Sequence, residues 1–428
     1  VTTALTGRGR GGLWKAAAFL FPALILLGAM LVYPIIFTVI RSTFDASGQN
    51  FIGLDNYVKI FSEPRTLVAI RNNIIWVLVV PLAVTGLGLV LAVLSNNLRF
   101  RSAFRLFLFL PLVVSGLAAG VTFRFLYAAD PEVGAMNALV RAVSHLFNPP
   151  GDYPTARPSA ATELTAEGDA YVFASPVNAG AVVNLGLVGV RPGNLPEEAL
   201  TAAPAEAVPG TVSGTVWLDA SAGGTPGVID EAERGLPGIT VELLQDGRVQ
   251  ATGVTDGSGR FSIAAGAGDY TLRLAENTFR APHPGVAWLG PTLITPAIML
   301  GYIWMQTGFA LILVGAGLSG IDRELLESAR IEGANEFQVF RHITTPLLAP
   351  VLLVVMVTTT ISVLKIFDLV LVIAPESLQQ HANVLALEMW RASFGGARDF
   401  GLGSALSVVL FLLIIPAMVF NLRRFKAS

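Results

Sequence analysis

Long apolar runs broken by short polar segments fill most of the chain. Six of them reach the roughly 20 residues that carry a helix across a hydrocarbon core: about 14–40, 68–94, 104–127, 289–317, 347–373 and 402–422. Between the third and fourth run the pattern changes. From 148 to 210 the chain is rich in Pro, Ala and Glu and poor in large apolar side chains, which predicts a linker over 147–210, with one or two strands in 177–193. From 211 to 280 apolar and polar residues alternate in GTVWLD, ITVELLQ, RVQATGVT, GRFSIAA and DYTLRLA. The turn sequences GLPG, DG, DGSG and GAGD separate them, the pattern of a small β-sandwich. The expected organisation is helices one to three in 1–146, the linker, the β-module, and helices four to six in 286–428. The fold class is an all-α polytopic membrane protein of six transmembrane helices with an inserted all-β module.

Composition agrees. Of 428 residues, 53% are hydrophobic and 14% charged, against about a quarter charged in soluble domains, which excludes an ordinary soluble enzyme. A net charge of −2 leaves no basic field for nucleic acid. With no cysteine there is no disulfide or thiolate site, and His145, His283, His342 and His381 show no metal-binding spacing. Arg8, Arg10 and Lys15 precede the first run as in a secretory signal, but the run is too long for one and lacks a small-residue cleavage site, so it reads as a retained helix. Those residues, with Arg99, Arg101 and Arg105, with Arg323, Arg330 and Arg341, and with Arg423, Arg424 and Lys426, fall on one side of a six-helix topology. That side is expected to be cytoplasmic, with both termini on it and the β-module opposite.

The loop after the fourth run, residues 320–350, reads GIDRELLESARIEGANEFQVFRHITTPLLAP. Its 325–330 segment favours a helix, supported by Arg323 and Glu327 at i, i+4. Small residues at Ser328, Ala329, Gly333 and Ala334 let another surface approach, and Gly333 permits a bend. Phe337, Phe340 and Ile343 form an apolar stripe, and Pro346 and Pro350 lead into helix five.

This loop resembles that of the membrane-spanning subunits of ABC importers, in particular the carbohydrate permeases related to the maltose system. Their pattern is EAA, three residues, G, nine residues, I, one residue, LP. Glu327, Ser328 and Ala329 stand for EAA, Gly333 for the glycine, and Ile343 and Pro346 for the close, with Ser328 and Thr345 as departures. GLDNYVKIF, FDLVLV and DFGLGSALS extend the resemblance over 1–146 and 286–428. It implies the type I importer permease fold and a multi-pass place in a bacterial cytoplasmic membrane. It also implies a coupling loop, containing Glu327, Ser328, Ala329, Glu332, Gly333, Ala334, Ile343 and Pro346, that docks on a separate ATPase. The partners implied are two ATP-binding subunits carrying ATP and Mg, a second permease, an extracytoplasmic solute-binding protein and the lipid bilayer. The solute class implied is α-glucosides such as maltose, trehalose or sucrose. The chain lacks a GxxxxGK[ST] phosphate loop, so it is expected to bind no cofactor and perform no covalent chemistry. The β-module separately resembles the Ig-like B-type repeats of bacterial surface proteins and prealbumin-like modules, through GTVWLDA, GLPGITVELL, TDGSGRFSI and GDYTLRL.

Polar residues within the spans mark a candidate solute path: Gln306 and Thr307 in helix four, and Thr358, Thr359, Thr360, Ser362, Lys365 and Asp368 in helix five, with Trp304 and Phe309 as aromatic platforms. Gln306, Phe309, Thr359, Ser362 and Lys365 are the principal candidates. Thr358, Ser362 and Lys365 share a helix face, each Ser or Thr has its own backbone as an alternative partner, and Lys365 can pair with Asp368. In the module, Asp219, Ser221, Gly224, Asp230 and Glu231 form a degenerate calcium-loop spacing, with Gly223 where a third acid is usual; a solvated turn is the competing reading. Gly116 and Gly120 form a GxxxG that permits close helix packing. Two other functions fit parts of the pattern. A membrane-anchored adhesion or structural protein needs no coupling loop, and an ion-driven secondary transporter favours acidic residues within the spans.

Overall fold

The computed structural model describes residues 10–96, 98–220, 224–396 and 398–425. Arg8 and Lys426, counted above among the orienting charges, and Ser221 and Gly223 of the calcium spacing lie outside the described residues. The chain forms two compact units, 1–128 with 287–428 and 129–286.

The first unit begins with α1 (Arg10–Leu27), a π-turn (Gly28–Val32) and α2 (Tyr33–Arg41). The π-turn precedes Pro34, which has no N–H to return to the preceding turn, so the helix widens to pass it. After the short α3 (Asp55–Ser62) comes α4 (Pro64–Asn96). Asn56 of α3 is buried and donates to the Ser42 and Phe44 carbonyls at 2.9 and 2.8 Å, fixing the intervening loop. The third expected span is not one helix: α5 (Arg101–Val113) and α6 (Gly116–Leu126) meet at 98°. Pro111 ends α5, and Ser115 caps α6 by accepting the Ala118 N–H, so the sequence stops one helix and starts another within three residues.

The second unit opens with α7 (Ala135–Phe147) and then forms two five-stranded sheets. The strands are β1 (Arg157–Pro158), β2 (Leu164–Glu167), β3 (Ala170–Phe173), β4 (Val182–Val188), β5 (Thr211–Leu218), β6 (Arg234–Gly235), β7 (Thr240–Gln245), β8 (Arg248–Val254), β9 (Arg260–Ala264) and β10 (Thr271–Leu274). One sheet runs β1-β4-β5-β6 with β9 also on β5; the other runs β2-β3-β10-β7-β8. Val183, Leu185, Val212, Val216, Phe261 and Ile263 of the first sheet share a core with Val241, Leu243, Leu272 and Leu274 of the second. A short helix, α8 (Glu276–Phe279), closes the unit.

Residues 147–210 are therefore not a linker. They supply β1 to β4, with β3 between β2 and β10 and β4 between β1 and β5. Strand β4 lies parallel to β5 in register Val182 to Ser213. A buried tyrosine pins this stretch: Tyr153 donates to the Pro237 carbonyl at 2.7 Å, and burial with nearby Asp152 and Glu198 pushes its phenol pKa up.

The first unit resumes with α9 (Ile294–Ser319), α10 (Arg323–Ile331), α11 (Glu336–Val339), a π-turn (Phe340–Thr344), α12 (Thr345–Leu364), α13 (Asp368–Ile373), α14 (Leu385–Phe394) and α15 (Phe400–Phe425). Small residues let α9 approach its neighbours. A Cβ on Gly88 of α4 would meet the Ala310 Cβ at 2.5 Å, and one on Gly308 would meet the Leu108 carbonyl oxygen of α5 at 2.1 Å. Among the described residues four helical stretches are long and apolar enough to cross a membrane, and the bent α5–α6 pair makes five. The expected sixth, in α15, contributes the shorter apolar stretch Phe400–Pro416. The fifth expected span also breaks, because α12 stops at Leu364 and α13 starts at Asp368.

Candidate functional site

Two regions hold the residues singled out by the sequence. The first is the 320–346 loop. Asp322 caps α10, its carboxylate accepting the Glu324 N–H at 3.0 Å. The other end of α10 closes as a Schellman motif: the Gly333 N–H donates to the Arg330 carbonyl and the Ala334 N–H to the Ala329 carbonyl, both at 3.0 Å. Gly333 sits at φ +89°, a conformation glycine adopts without cost. Asn335 and Gln338 then form a reciprocal capping box that starts α11. Arg330 clamps across the turn, with Nε at 2.8 Å and a terminal nitrogen at 3.1 Å from the two Glu336 oxygens. That pairing holds the Glu336 carboxyl pKa below its usual range and raises that of Arg330.

The loop's shape is thus set locally, and α10 buries none of its residues. Glu327, Ser328, Glu332 and Gly333 are exposed, while Ala329 and Ala334 are half-buried. Ser328 donates to the Glu324 carbonyl at 2.5 Å, so its hydroxyl stays on its own helix. No heavy atom lies within 4 Å of a Cβ built on Gly333, so that surface is open. Ile343 lies half-buried in the second π-turn, which again precedes a proline, Pro346, in the first turn of α12. The result is a rigid, charged helix-turn-helix with small residues at its apex, the geometry of a surface made to fit into another.

The second region lies between α4, α9 and α12. Gln306 donates to the Tyr302 hydroxyl at 3.1 Å, and Ser362 of α12 lies near that hydroxyl. Trp76 of α4 packs edge-on against Tyr302 with ring centroids 5.6 Å apart. Trp76 is buried, and its indole N–H finds no partner among the described residues. Sequence reasoning found Gln306 and Ser362 and missed Tyr302 and Trp76. Tyr302 stands one helical turn before Gln306, which was the available signal; Trp76 is brought in from a distant helix.

The other candidates fall elsewhere. Thr359 is buried and donates to the Val355 carbonyl at 2.8 Å, so its hydroxyl is used by its own helix. Thr307 does the same to Ile303 at 2.6 Å. Phe309 is half-buried on α9, and the exposed Trp304 packs edge-on against Phe123. Lys365 does not continue the helix five face; it terminates α12, exposed, at the break. Lys365 and Asp368 do not form an ion pair among those described, because Asp368 opens a new helix and turns to α6. A Cβ on Gly116 would lie 2.0 Å from an Asp368 carboxylate oxygen, and one on Gly120 would lie 2.8 Å from Val372. The GxxxG is therefore the seam along which α6 meets α13.

In the β-module Asp219 accepts from the Ser159 hydroxyl at 2.5 Å and the Gly227 N–H at 2.9 Å, and Asp230 accepts from the Thr225 N–H. Glu231 is exposed. Among the described residues no three His, Asp or Glu side chains gather as a metal site. The two aspartates serve the turn instead.

Comparison with known proteins bears on both regions. Residues 261–425 match the family described as the binding-protein-dependent transport system inner membrane component. Along nearly its whole length the chain is similar to the osmoprotective compounds uptake permease protein GgtC of Synechocystis sp., at 28% identity over 96% of this chain and 98% of that protein. It is also similar to the alpha-glucoside transport system permease protein AglF of Rhizobium meliloti, at 27% identity over 95% of this chain and 80% of that one. A chain of the crystal structure of a bacterial ABC transporter that imports the acidic polysaccharide alginate superposes with a TM-score of 0.55 over 96% of both chains, at 16% identity, which shows a shared fold.

Proposed function

We propose that this chain is an ABC importer permease, not itself an enzyme, that forms half of a carbohydrate path and couples it to a separate ATPase. The observation that carries the reading is the 320–346 loop. It is locally rigid, exposed along α10 and open at Gly333, and it lies inside the matched 261–425 region. Glu327 and Gly333 form the centre of the docking surface, with Ser328, Ala329, Glu332 and Ala334 around them and Ile343 and Pro346 leading into α12. ATP and Mg belong to the partner, present in two copies, and closure of that dimer rocks the helices through this loop.

The carbohydrate class is supported by the relative named for alpha-glucosides and by the chemistry between α4, α9 and α12. Tyr302, Gln306 and Ser362 offer hydroxyl and amide groups beside the Trp76 ring, the combination that binds sugars. Phe309, Thr359 and Lys365 lie outside this cluster. An α-glucoside is the substrate we favour. A second, related permease completes the path, and a solute-binding protein delivers the sugar. In this reading the 129–286 unit lies outside the cytoplasmic membrane and both termini inside, and the distribution of basic residues along the sequence supports it.

Co-purification from mild detergent tests this. An ATPase and a second permease retained with the chain, and ATP hydrolysis stimulated by an α-glucoside, are the expected results. A chain that comes out alone, with sugar uptake unchanged by Glu327→Lys, overturns the coupling role.

A further inference from the structure

Helix α7 carries an apolar face that the chain itself leaves uncovered. Ala135, Leu139, Val143 and Leu146 follow one another at helical spacing with Phe147 beside them, and Leu139, Val143, Leu146 and Phe147 are 60%, 47%, 80% and 78% exposed. Asn137, Arg141, Ser144 and His145 lie on the other side. Arg141 pairs there with Glu132 at 2.6 Å. Asn137 is fully buried.

What covers the apolar face follows from where the chain enters and leaves this unit. Asn137 donates to the carbonyls of Ala129 and Val286 at 3.3 and 3.1 Å and accepts the Val286 N–H at 2.7 Å. Ala129 and Val286 are the first and last residues of their unit, each one peptide bond from the unit that holds the membrane-length helices. On that side Tyr127 follows the end of α6 and Trp288 precedes α9, their ring centroids 6.1 Å apart, and Tyr127 donates to the Ala297 carbonyl at 2.9 Å. Both residues lie at the boundary where the chain passes between the two units, beside the apolar helices α6 and α9. One side of α7 is therefore tied, through Asn137, to both points where the chain crosses that boundary.

We propose that α7 lies in the membrane surface, with Leu139, Val143, Leu146 and Phe147 in the boundary between headgroups and acyl chains. The occupant of this face is lipid, as for other interfacial amphipathic helices, because the face is apolar and the opposite side of the helix is fixed through Asn137 at both points where the chain passes to the unit of membrane-length helices. The helix roots the 129–286 unit on the bilayer. This inference rests on the reading of the chain as a membrane permease.

The absence of cysteine allows single labels to be introduced without background. Nitroxides are placed by Val143→Cys and, separately, Leu146→Cys in the full chain, reconstituted in nanodiscs of phosphatidylethanolamine and phosphatidylglycerol. Leu82→Cys, on an exposed face of α4, serves as the membrane reference and Val249→Cys, on β8, as the water reference. Both α7 labels are expected to collide with oxygen in excess over a water-soluble nickel chelate, as at Leu82 and opposite to Val249. Two results overturn the proposal while Leu82 still reports lipid. In one, the α7 labels collide with the chelate as freely as Val249. In the other, they are immobile and shielded from both reagents, as beneath a protein partner. If Leu82 itself collides with the chelate as freely as Val249, the membrane reading falls and the proposal with it.

Discussion

Helix α10 buries none of its nine residues, whereas every residue of β5 from Val212 to Leu218 is buried. The 320–346 loop keeps its shape through contacts within about fifteen positions: the Asp322 cap, the Schellman turn at Gly333, the capping box at Asn335 and the Arg330–Glu336 clamp. The β unit keeps its shape through pairings that span far more chain, such as β3 with β10 and β4 with β5, and through one shared core. A surface that must fit a partner and move with it benefits from being rigid without a core of its own. A unit that only has to hold position can rely on depth. Substitutions in the two regions are therefore expected to fail in different ways.

The largest effect is expected at Gly214 in β5. A Cβ there would lie 1.9 Å from the Val183 carbonyl oxygen and 2.6 Å from the Phe261 ring, so neither backbone nor core can yield cheaply. Gly214→Val is expected to cost about 3 kcal/mol or more and to open 129–286 to proteolysis in the full chain, leaving the membrane helices protected. Equal protection in variant and parent would show that the core does not hold this unit. The loop's counterpart is Gly333, where space is open and only the backbone angle resists. Gly333→Val is expected to cost about 1–2 kcal/mol in the docking geometry, roughly a tenfold loss of coupled ATP hydrolysis, with the fold intact. Gly333→Asn, which tolerates the same angle, should retain most activity. If the two variants behave alike, the left-handed turn is not what the partner reads.

The same contrast governs what the sequence discloses. The Arg323–Glu327 spacing, Gly333 and the small residues around Ser328 mark the loop because their work is done by neighbours in the chain. Five of the six strands from 211 onward are legible for the same reason, each bounded by its own turn; the two-residue β6 is not. Strands β2 and β3 are four residues each, pair with each other, and join the sheet only where β3 pairs with β10, a hundred residues on, so an Ala- and Pro-rich segment reads as linker. The bend between α5 and α6 has a local cause in Pro111 and Ser115, while the break after Leu364 has no proline to announce it. In the proposed solute path Gln306 and Ser362 stand out as polar residues in apolar helices. Trp76 does not, because an apolar ring in an apolar helix gives no signal until α4 meets α9.

A turn inside the β unit brings the two kinds of stabilisation together. Asp256 accepts from the Ser258 N–H and hydroxyl and the Arg260 N–H at 2.7–2.9 Å, a local device serving a long-range fold. Burial works against its charge, but these hydrogen bonds, aided by Arg260, hold its pKa below the usual range. Asp256→Ala is expected to cost about 1 kcal/mol, measured as a lowered melting midpoint of the unit in the full chain, with Asp256→Asn intermediate. A loss as large as that of Gly214→Val would mean that the turn, and not the core, nucleates the fold.

The smallest expected effect is a pH response of the loop. Glu336 in the folded loop has a pKa below its ordinary value because Arg330 hydrogen-bonds its charged form. A depressed carboxyl contributes order that is fully present above the unfolded pKa and is lost as pH falls through the folded one. The clamp is therefore complete at neutral pH, and its contribution declines from the ordinary glutamate range downward. Amide exchange of 330–338 is expected to be flat from neutral pH to mild acid and to rise relative to intrinsic rates below that, while Asp322-capped α10 stays protected. Glu336→Gln should remove the pH step and leave a slightly faster, pH-independent exchange. A step that persists in Glu336→Gln would place the control in another carboxylate, and Asp322, which caps the same helix, would be the first to replace.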